Sequence, residues 1–271
     1  MESLGARPSL PREAGDFATL LRERGLYPQV PANVAAASVG HAASGVQTQA
    51  TTILAFKFAG GVLVAGDRRA TAGNSIVYDR ADKVLEIDSH SLMAIAGVPA
   101  TAWEMARVLE HSFQFYRRSQ LQEMSLEGKV RALSKLLRDN LSFVLQGVGV
   151  VVPIFAAYDS VAEIARLYFY DAMGAQFEAA DFTSTGSGSP AVRSVLYYEN
   201  TWGHKPLTKL REAEAVVLAL RALDTAAEND TATGGVDRRG RVYPIIKIIS
   251  ATGIRTLAEK DLARVFKQKV T

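Results

Sequence analysis

Residues 51–71, TTILAFKFAGGVLVAGDRRAT, decide how the rest of the chain is read. A hydroxyl residue, Thr51, opens the stretch, and a β-prone run follows over residues 52–58. Gly60 and Gly61 then turn the chain into a second apolar run, residues 62–65, which leads into Asp67-Arg68-Arg69. Two β-rich runs joined by glycines read as a hairpin. Lys83 follows in the segment RADKV. Taken alone, the same residues also describe an ordinary half-buried hairpin with a charged tip. The rest of the chain has to separate the two readings.

Moving outward, further strands are expected at residues 83–87, 92–96, 153–158, 166–170, 176–180 and 242–249. Helical periodicity runs over 101–117 through Trp103, Ala106, Val108, Leu109 and Phe113, and over 126–145 through Val130, Leu133, Leu137, Leu141 and Val144, with Ser125 as a cap. A loop, TSTGSG at 183–188, leads to a helix near 191–198, and helices are also expected over 207–228 and 257–267. Strands, two helices, strands, two helices, strands is an order that suits two sheets packed face to face with helices outside. Nothing repeats, and no linker divides residues 51–271, which read as one domain. Residues 1–50 differ. They hold Pro8, Pro11, Pro28 and Pro31, a short amphipathic run at 16–24 with Asp16 as its cap, and a small-residue linker from 32 to 50.

Composition removes several function classes. The chain has 271 residues, of which 48% are hydrophobic, enough for a substantial core. No apolar run approaches the roughly 18–20 residues of a membrane span, and no signal-type block opens the chain. Without cysteine there is no disulfide framework, thiolate metal site or cysteine nucleophile, which fits a reducing cytoplasm. His41, His90, His111 and His204 stand singly, without metal-ligand spacing, so neither metal nor cofactor is expected. A net charge of +3, with basic and acidic residues interleaved, gives no support to nucleic-acid binding.

A threonine, an aspartate and a lysine in this order on a glycine-turned hairpin resemble the core of the N-terminal threonine hydrolases, the family of proteasome β subunits. Two distant motifs strengthen the resemblance. STGSGSPAV at 184–192 is similar to the family loop in which Ser187 lies beside the catalytic threonine. NDTATGGVD at 229–237 is similar to the loop that contributes Asp230 and a following hydroxyl, here Thr233 where members often have serine. GDRRAT and the second loop look closer to the bacterial proteasome than to its shorter peptidase relative. The resemblance implies an α+β fold, a four-layer αββα sandwich of N-terminal nucleophile hydrolase type. It also implies a catalytic group of Thr51, Asp67, Lys83, Gly97, Ser187, Asp230 and Thr233.

The chemistry of that group is coherent. A threonine hydroxyl needs a base, and at a chain start its own α-amine, with a pKa of about 7.7–8.0, is one. Thr51 gains that amine only if residues 1–50 are removed as a propeptide, by cleavage between Ala50 and Thr51. Lys83 would disfavour protonation of the amine and stabilise negative charge on the hydroxyl oxygen, Asp67 would orient Lys83, and the Gly97 N–H would serve a developing oxyanion. Family members usually have glycine before the nucleophile, where this chain has Ala50, a residue with less backbone freedom. By resemblance, substrate would be bound by Ala70, Thr71, Ala81, Leu85, Ile95, Pro99 and Trp103, an uncharged set suited to apolar side chains.

The implied partners are proteasome α subunits, other copies in stacked seven-membered β rings, a ring ATPase acting through the α ring, and protein substrates. A non-catalytic ring subunit is the alternative from another class. Two bland readings also stand beside the motifs: TSTGSG as a phosphate-binding loop, though it lacks the Gly-Lys-Ser/Thr ending, and DTATGG as a helix stop capped by Gly234.

Overall fold

In the computed structural model, residues 51–72, 75–237 and 242–270 are described. The run expected to be helical at 16–24, the linker at 32–50 and Ala50 lie outside them. Strands β1 (Thr52–Phe58) and β2 (Gly61–Gly66) form the expected hairpin, with Ile53 opposite Gly66 and Phe58 opposite Gly61. The turn is therefore Ala59-Gly60, and Gly61 already belongs to β2. Its glycine serves a close approach instead: φ is 136°, and a Cβ there would stand 2.0 Å from the Ile249 carbonyl oxygen.

The period-two alternation of β1 assigns its two faces. Leu54, Phe56 and Phe58 enter one apolar cluster, while Ile53 and Ala55 enter another. On one side of β1 runs β10 (Phe182–Gly186), and beyond β2 lie β11 (Ile245–Ser250) and β12 (Gly253–Thr256), giving the sheet order β10-β1-β2-β11-β12. The second sheet, β5 (Val84–Asp88), β6 (Ser91–Ala94), β7 (Ile154–Asp159), β8 (Ile164–Tyr170) and β9 (Gln176–Glu178), follows chain order. A short ribbon, β3 (Ala70–Ala72) with β4 (Ser75–Tyr78), stands apart from both.

Three buried clusters define the layers. Ile53, Val64, Leu92, Ile154 and Leu167 fill the space between the sheets. Helices α1 (Pro99–Gln120) and α2 (Leu126–Asp139) cover the second sheet through Leu109, Phe113, Leu133 and Leu137 against Met93 and Phe155. The first sheet is covered by α4 (Ser189–Trp202), α5 (Glu212–Asn229) and α6 (Glu259–Lys269), with Leu196, Leu223 and Phe266 packed on Leu54, Phe56 and Ile246. The result is the four-layer αββα sandwich.

Several boundaries differ from the expectation, each for a local reason. The helix over 126–145 breaks at Asn140, whose side-chain amide donates to the Gly149 carbonyl at 2.6 Å, and α3 (Leu141–Leu145) continues beyond it. The helix over 207–228 begins as a separate 3-10 turn, Leu207–Lys209, and α5 restarts where Glu214 accepts the Arg211 N–H at 2.8 Å. Pro244 has no N–H to give, so the strand expected from 242 enters the ladder only at Ile245. The stretch expected as a loop at 183–188 is mostly strand, its threonines filling β10 beside β1. Trp103 and Val108, expected on the core face of their helix, are partly exposed, at 47% and 37%.

Candidate active site

β1 and β2 run antiparallel, so the start of one and the end of the other meet at the same edge of the sheet. That places Thr51 and Thr52 beside Asp67. Asp67 is fully buried, and its carboxylate accepts four hydrogen bonds. Oδ1 takes the Thr52 N–H at 2.8 Å and the Lys83 ammonium at 2.7 Å. Oδ2 takes the N–H groups of Arg69 and Gly234, both at 2.9 Å. Three of the donors are backbone groups from three separate segments, so Asp67 joins them as well as orienting Lys83.

Lys83 lies just before β5, and its ammonium also donates to the Arg69 carbonyl at 2.5 Å. Burial pulls its pKa below the ordinary lysine value, against the opposing pull of Asp67. Arg69 carries the connection further, donating from its guanidinium to the Thr231 carbonyl at 2.8 Å and the Thr233 carbonyl at 3.3 Å. Gly234 allows this closeness, since a Cβ there would meet the Arg69 Cβ at 2.8 Å. Its N–H goes to Asp67, and Asp230 is the residue that caps α5. The helix-stop reading of Gly234 is thereby replaced.

The second group lies on the other side of β1. Ser187 donates its backbone N–H to the Thr51 carbonyl at 3.0 Å and its hydroxyl to Asp230 Oδ2 at 2.5 Å. The Thr233 hydroxyl reaches the same Oδ2 at 2.6 Å, and the Ala232 N–H reaches Oδ1 at 3.1 Å. Burial works to raise the Asp230 pKa, but these hydrogen bonds prevail and hold it below the usual carboxylate value. Most of the polar groups of TSTGSG are committed within the fold, the buried Thr183 hydroxyl excepted. The Gly188 N–H donates to the Thr52 hydroxyl at 2.9 Å, and the Ser184 and Thr185 hydroxyls donate to the carbonyls of Ser189 and Val152. A phosphate loop needs such N–H groups free, so that reading falls.

Thr51, Lys83 and Gly97 line one cavity of about 320 Å³ together with Ala70, Ala81, Ile95, Pro99 and Trp103. Leu85 and Thr71 are not in its lining. Leu85 packs onto the cluster beneath α1 and α2, and Thr71 is buried on β3. Tyr78, Asp82, Val98 and Ala100 complete the wall. Tyr78 escaped the sequence reading because β4 is exposed at all four positions and shows no alternation. Gly97 has φ of 116°, and a Cβ would stand 2.1 Å from the Val150 carbonyl, so only glycine suits that turn. A larger cleft of about 640 Å³ near Arg211, Glu212 and Arg255 holds none of the expected residues. Among the described residues no group of His, Cys, Asp or Glu is gathered to hold a metal, and no helix is long and apolar enough to cross a membrane.

Gly186 is the residue whose requirement is most direct. Its φ is 98°, and a Cβ would lie 1.6 Å from the Thr51 carbonyl oxygen. Gly186→Ala must displace Thr51 and adopt a left-handed backbone at a cost of about 1–2 kcal/mol for that alone. The expected outcome is a lower melting temperature, read by thermal unfolding beside the parent chain. An alanine variant with parental stability would remove this constraint on Thr51.

Two five-stranded sheets face to face between helix layers, with a threonine at the head of the first strand, define the class as an N-terminal nucleophile hydrolase fold. The proteasome-subunit family model matches residues 47–239. Proteasome subunit beta 2 of Thermomonospora curvata is 41% identical over 222 residues, covering 81% of this chain and 76% of that protein. Proteasome subunit beta of Jonesia denitrificans is 42% identical over 213 residues, 79% of this chain and 68% of the relative. That of Streptomyces griseus is 38% identical over 218 residues, with 79% and 74% covered. The chain belongs to the proteasome subunit family, in company with bacterial β subunits. Members of this family assemble in rings with α subunits, and its β subunits are in general peptide-bond hydrolases.

Proposed function

We propose that the chain is a catalytic β subunit, a threonine endopeptidase whose nucleophile is the Thr51 hydroxyl after removal of residues 1–50. One observation carries the reading: Thr51 borders a cavity with Lys83, and the ammonium of Lys83 is anchored on a fully buried carboxylate that several strands and loops converge to hold. A buried ion pair is a weak source of stability, since its desolvation offsets most of the attraction. A scaffold subunit has little need of it at this place, whereas a hydroxyl that must lose a proton does. In the reaction, the Thr51 oxygen attacks the peptide carbonyl while its proton passes to the Thr51 α-amine. The Gly97 N–H meets the oxyanion, and the leaving amine takes the proton as the acyl ester forms. Water then cleaves that ester. Ser187, Asp230 and Thr233 hold the Thr51 backbone and its surroundings in register.

In this reading the subunit works in the cytoplasm, in stacked seven-membered β rings between α rings, on protein substrates fed by a ring ATPase. The apolar cavity wall supports cleavage after apolar residues. Asp82 is a charge in that wall, but its Oδ1 accepts the Val84 N–H at 2.9 Å and its Oδ2 lies 3.7 Å from the Lys247 ammonium. Lys83 is likewise held by Asp67. An acidic substrate side chain would meet Asp82 with Lys83 already held by Asp67, and a basic one would meet only an Asp82 that Lys247 already approaches. A charged side chain is therefore desolvated with little return. Fluorogenic peptides ending in Leu or Tyr are expected to be cleaved at least about tenfold faster than those ending in Arg or Asp, a ratio that needs only ~1.4 kcal/mol. The reverse order on assembled particles would sink the specificity, and no cleavage of any peptide, with residue 1 still present by intact mass, would favour the scaffold.

A further inference from the structure

We propose that the hydroxyl of Thr52, the residue after the nucleophile, is a positioning group for hydrolysis: it ties the head of β1 to the Asp230–Thr233 pair. Thr52 is fully buried, and its side chain shares the face of β1 whose later positions, Leu54, Phe56 and Phe58, are apolar core. A hydroxyl at the head of that row interrupts it. Its oxygen lies 2.6 Å from Thr233 Oγ1 and accepts the Gly188 N–H at 2.9 Å.

The direction of the contact with Thr233 follows from the donor inventory. An ionised carboxylate only accepts, so the single Thr233 proton goes to Asp230 Oδ2, and the Thr52 proton must go to Thr233. The series Gly188 N–H, Thr52, Thr233, Asp230 is thus fully paired and runs one way, each hydroxyl polarised by the one before it. Gly188 closes the arrangement: a Cβ there would meet Thr52 Oγ1 at 2.6 Å and Thr233 Oγ1 at 2.7 Å. The backbone of Thr52 meanwhile donates to Asp67 Oδ1, the atom that also holds Lys83. One residue, adjacent to Thr51, therefore connects both carboxylates of the site. It is not among the residues that line the cavity, so its contribution belongs to the chemical step and not to substrate binding.

This rests on Thr51 being the nucleophile, so Thr51→Ala is measured beside it. The test uses full-length chains co-assembled with α subunits, with rates normalised to processed β chains counted by intact mass. Thr52→Val keeps the shape and removes the hydroxyl. The expected result is a kcat about tenfold lower, the scale of one buried hydrogen bond, with KM within about twofold of the parent. Thr52→Ser should recover most of the loss. The Thr52→Val/Thr233→Val double variant should fall no further than Thr233→Val alone, because the two hydroxyls act in series. Unchanged kcat, a loss confined to KM, no recovery with serine, or losses that multiply would each overturn the proposal. So would a valine chain that fails to assemble while the serine chain succeeds, since the hydroxyl would then serve folding. An active Thr51→Ala particle removes the peptidase reading itself, whereas an inactive one beside a fully active Thr52→Val removes this inference alone.

Discussion

If the proposed function holds, a Thr51→Ala chain is expected to assemble with residues 1–50 still attached and to hydrolyse no peptide, because in that reading one hydroxyl serves both the activating cleavage and the later catalysis. In the precursor, Thr51 Oγ1 would attack the Ala50 carbonyl carbon, and the bond from that carbon to the Thr51 nitrogen would break as the ester forms. Water then cleaves the ester, leaving a carboxylate on Ala50 and a free α-amine on Thr51. Alanine has no oxygen to begin this. The site is suited to the step, since the Thr51 carbonyl is pinned by the Ser187 N–H and the next N–H is pinned by Asp67. Thr51→Ser keeps the hydroxyl and should process at least in part. Ala50→Gly should process at least as fast as the parent, because glycine relieves backbone restriction at the scissile bond. Thr52 does not substitute as nucleophile, because its hydroxyl is committed to Thr233 on the opposite face of the strand. Intact-mass spectrometry of assembled particles reads the outcome. A Thr51→Ala chain that begins at residue 51 would assign the cut to another protease.

What the sequence reveals of this site depends on how far apart the partners lie along the chain. The β1–β2 hairpin is legible because alternation and a turn act locally, whereas the Asp67–Lys83 pair and Gly97 entered through the resemblance to proteasome β subunits. Arg69 is not legible, although it stands inside the motif quoted first. Its partners, the carbonyls of Thr231 and Thr233, come from a loop brought in only by the packing of α5 on the first sheet. Thr52 shows the same limit: in a β-prone run it reads as one more strand former, and its burial against Thr233 and Gly188 emerges only in the fold. β10 was obscured for a different reason. Its hydroxyls resemble loop chemistry, yet those of Ser184 and Thr185 are satisfied by the carbonyls of Ser189 and Val152, at 3.2 and 3.0 Å. The resemblance places Leu85 among the substrate-binding residues, but its packing is with the helix-covered cluster.

Lys83→Ala and Asp67→Ala are both expected to abolish peptide hydrolysis, but they should differ sharply in stability, and the difference tests how the site is built. Lys83→Ala removes the positive charge beside Thr51. It leaves Asp67 with three backbone donors, from Thr52, Arg69 and Gly234, so the carboxylate remains solvated by the protein and the three segments remain joined. The fold should survive with a modest loss. Asp67→Ala does the opposite. It strands the Lys83 ammonium with the Arg69 carbonyl as its remaining hydrogen-bond acceptor, and it orphans the buried N–H groups of Thr52 and Gly234 and the part-buried one of Arg69. Each unpaired buried donor costs about 1–3 kcal/mol, and the abandoned charge adds to that. Thermal unfolding and amide hydrogen exchange at Thr52 and Gly234 on the two variants make the comparison, with turnover measured in parallel. Equal stability of the two would mean that Asp67 acts only through Lys83. Parental turnover in either would remove the pair from the mechanism, because Thr51 would then need no neighbouring charge to lose its proton.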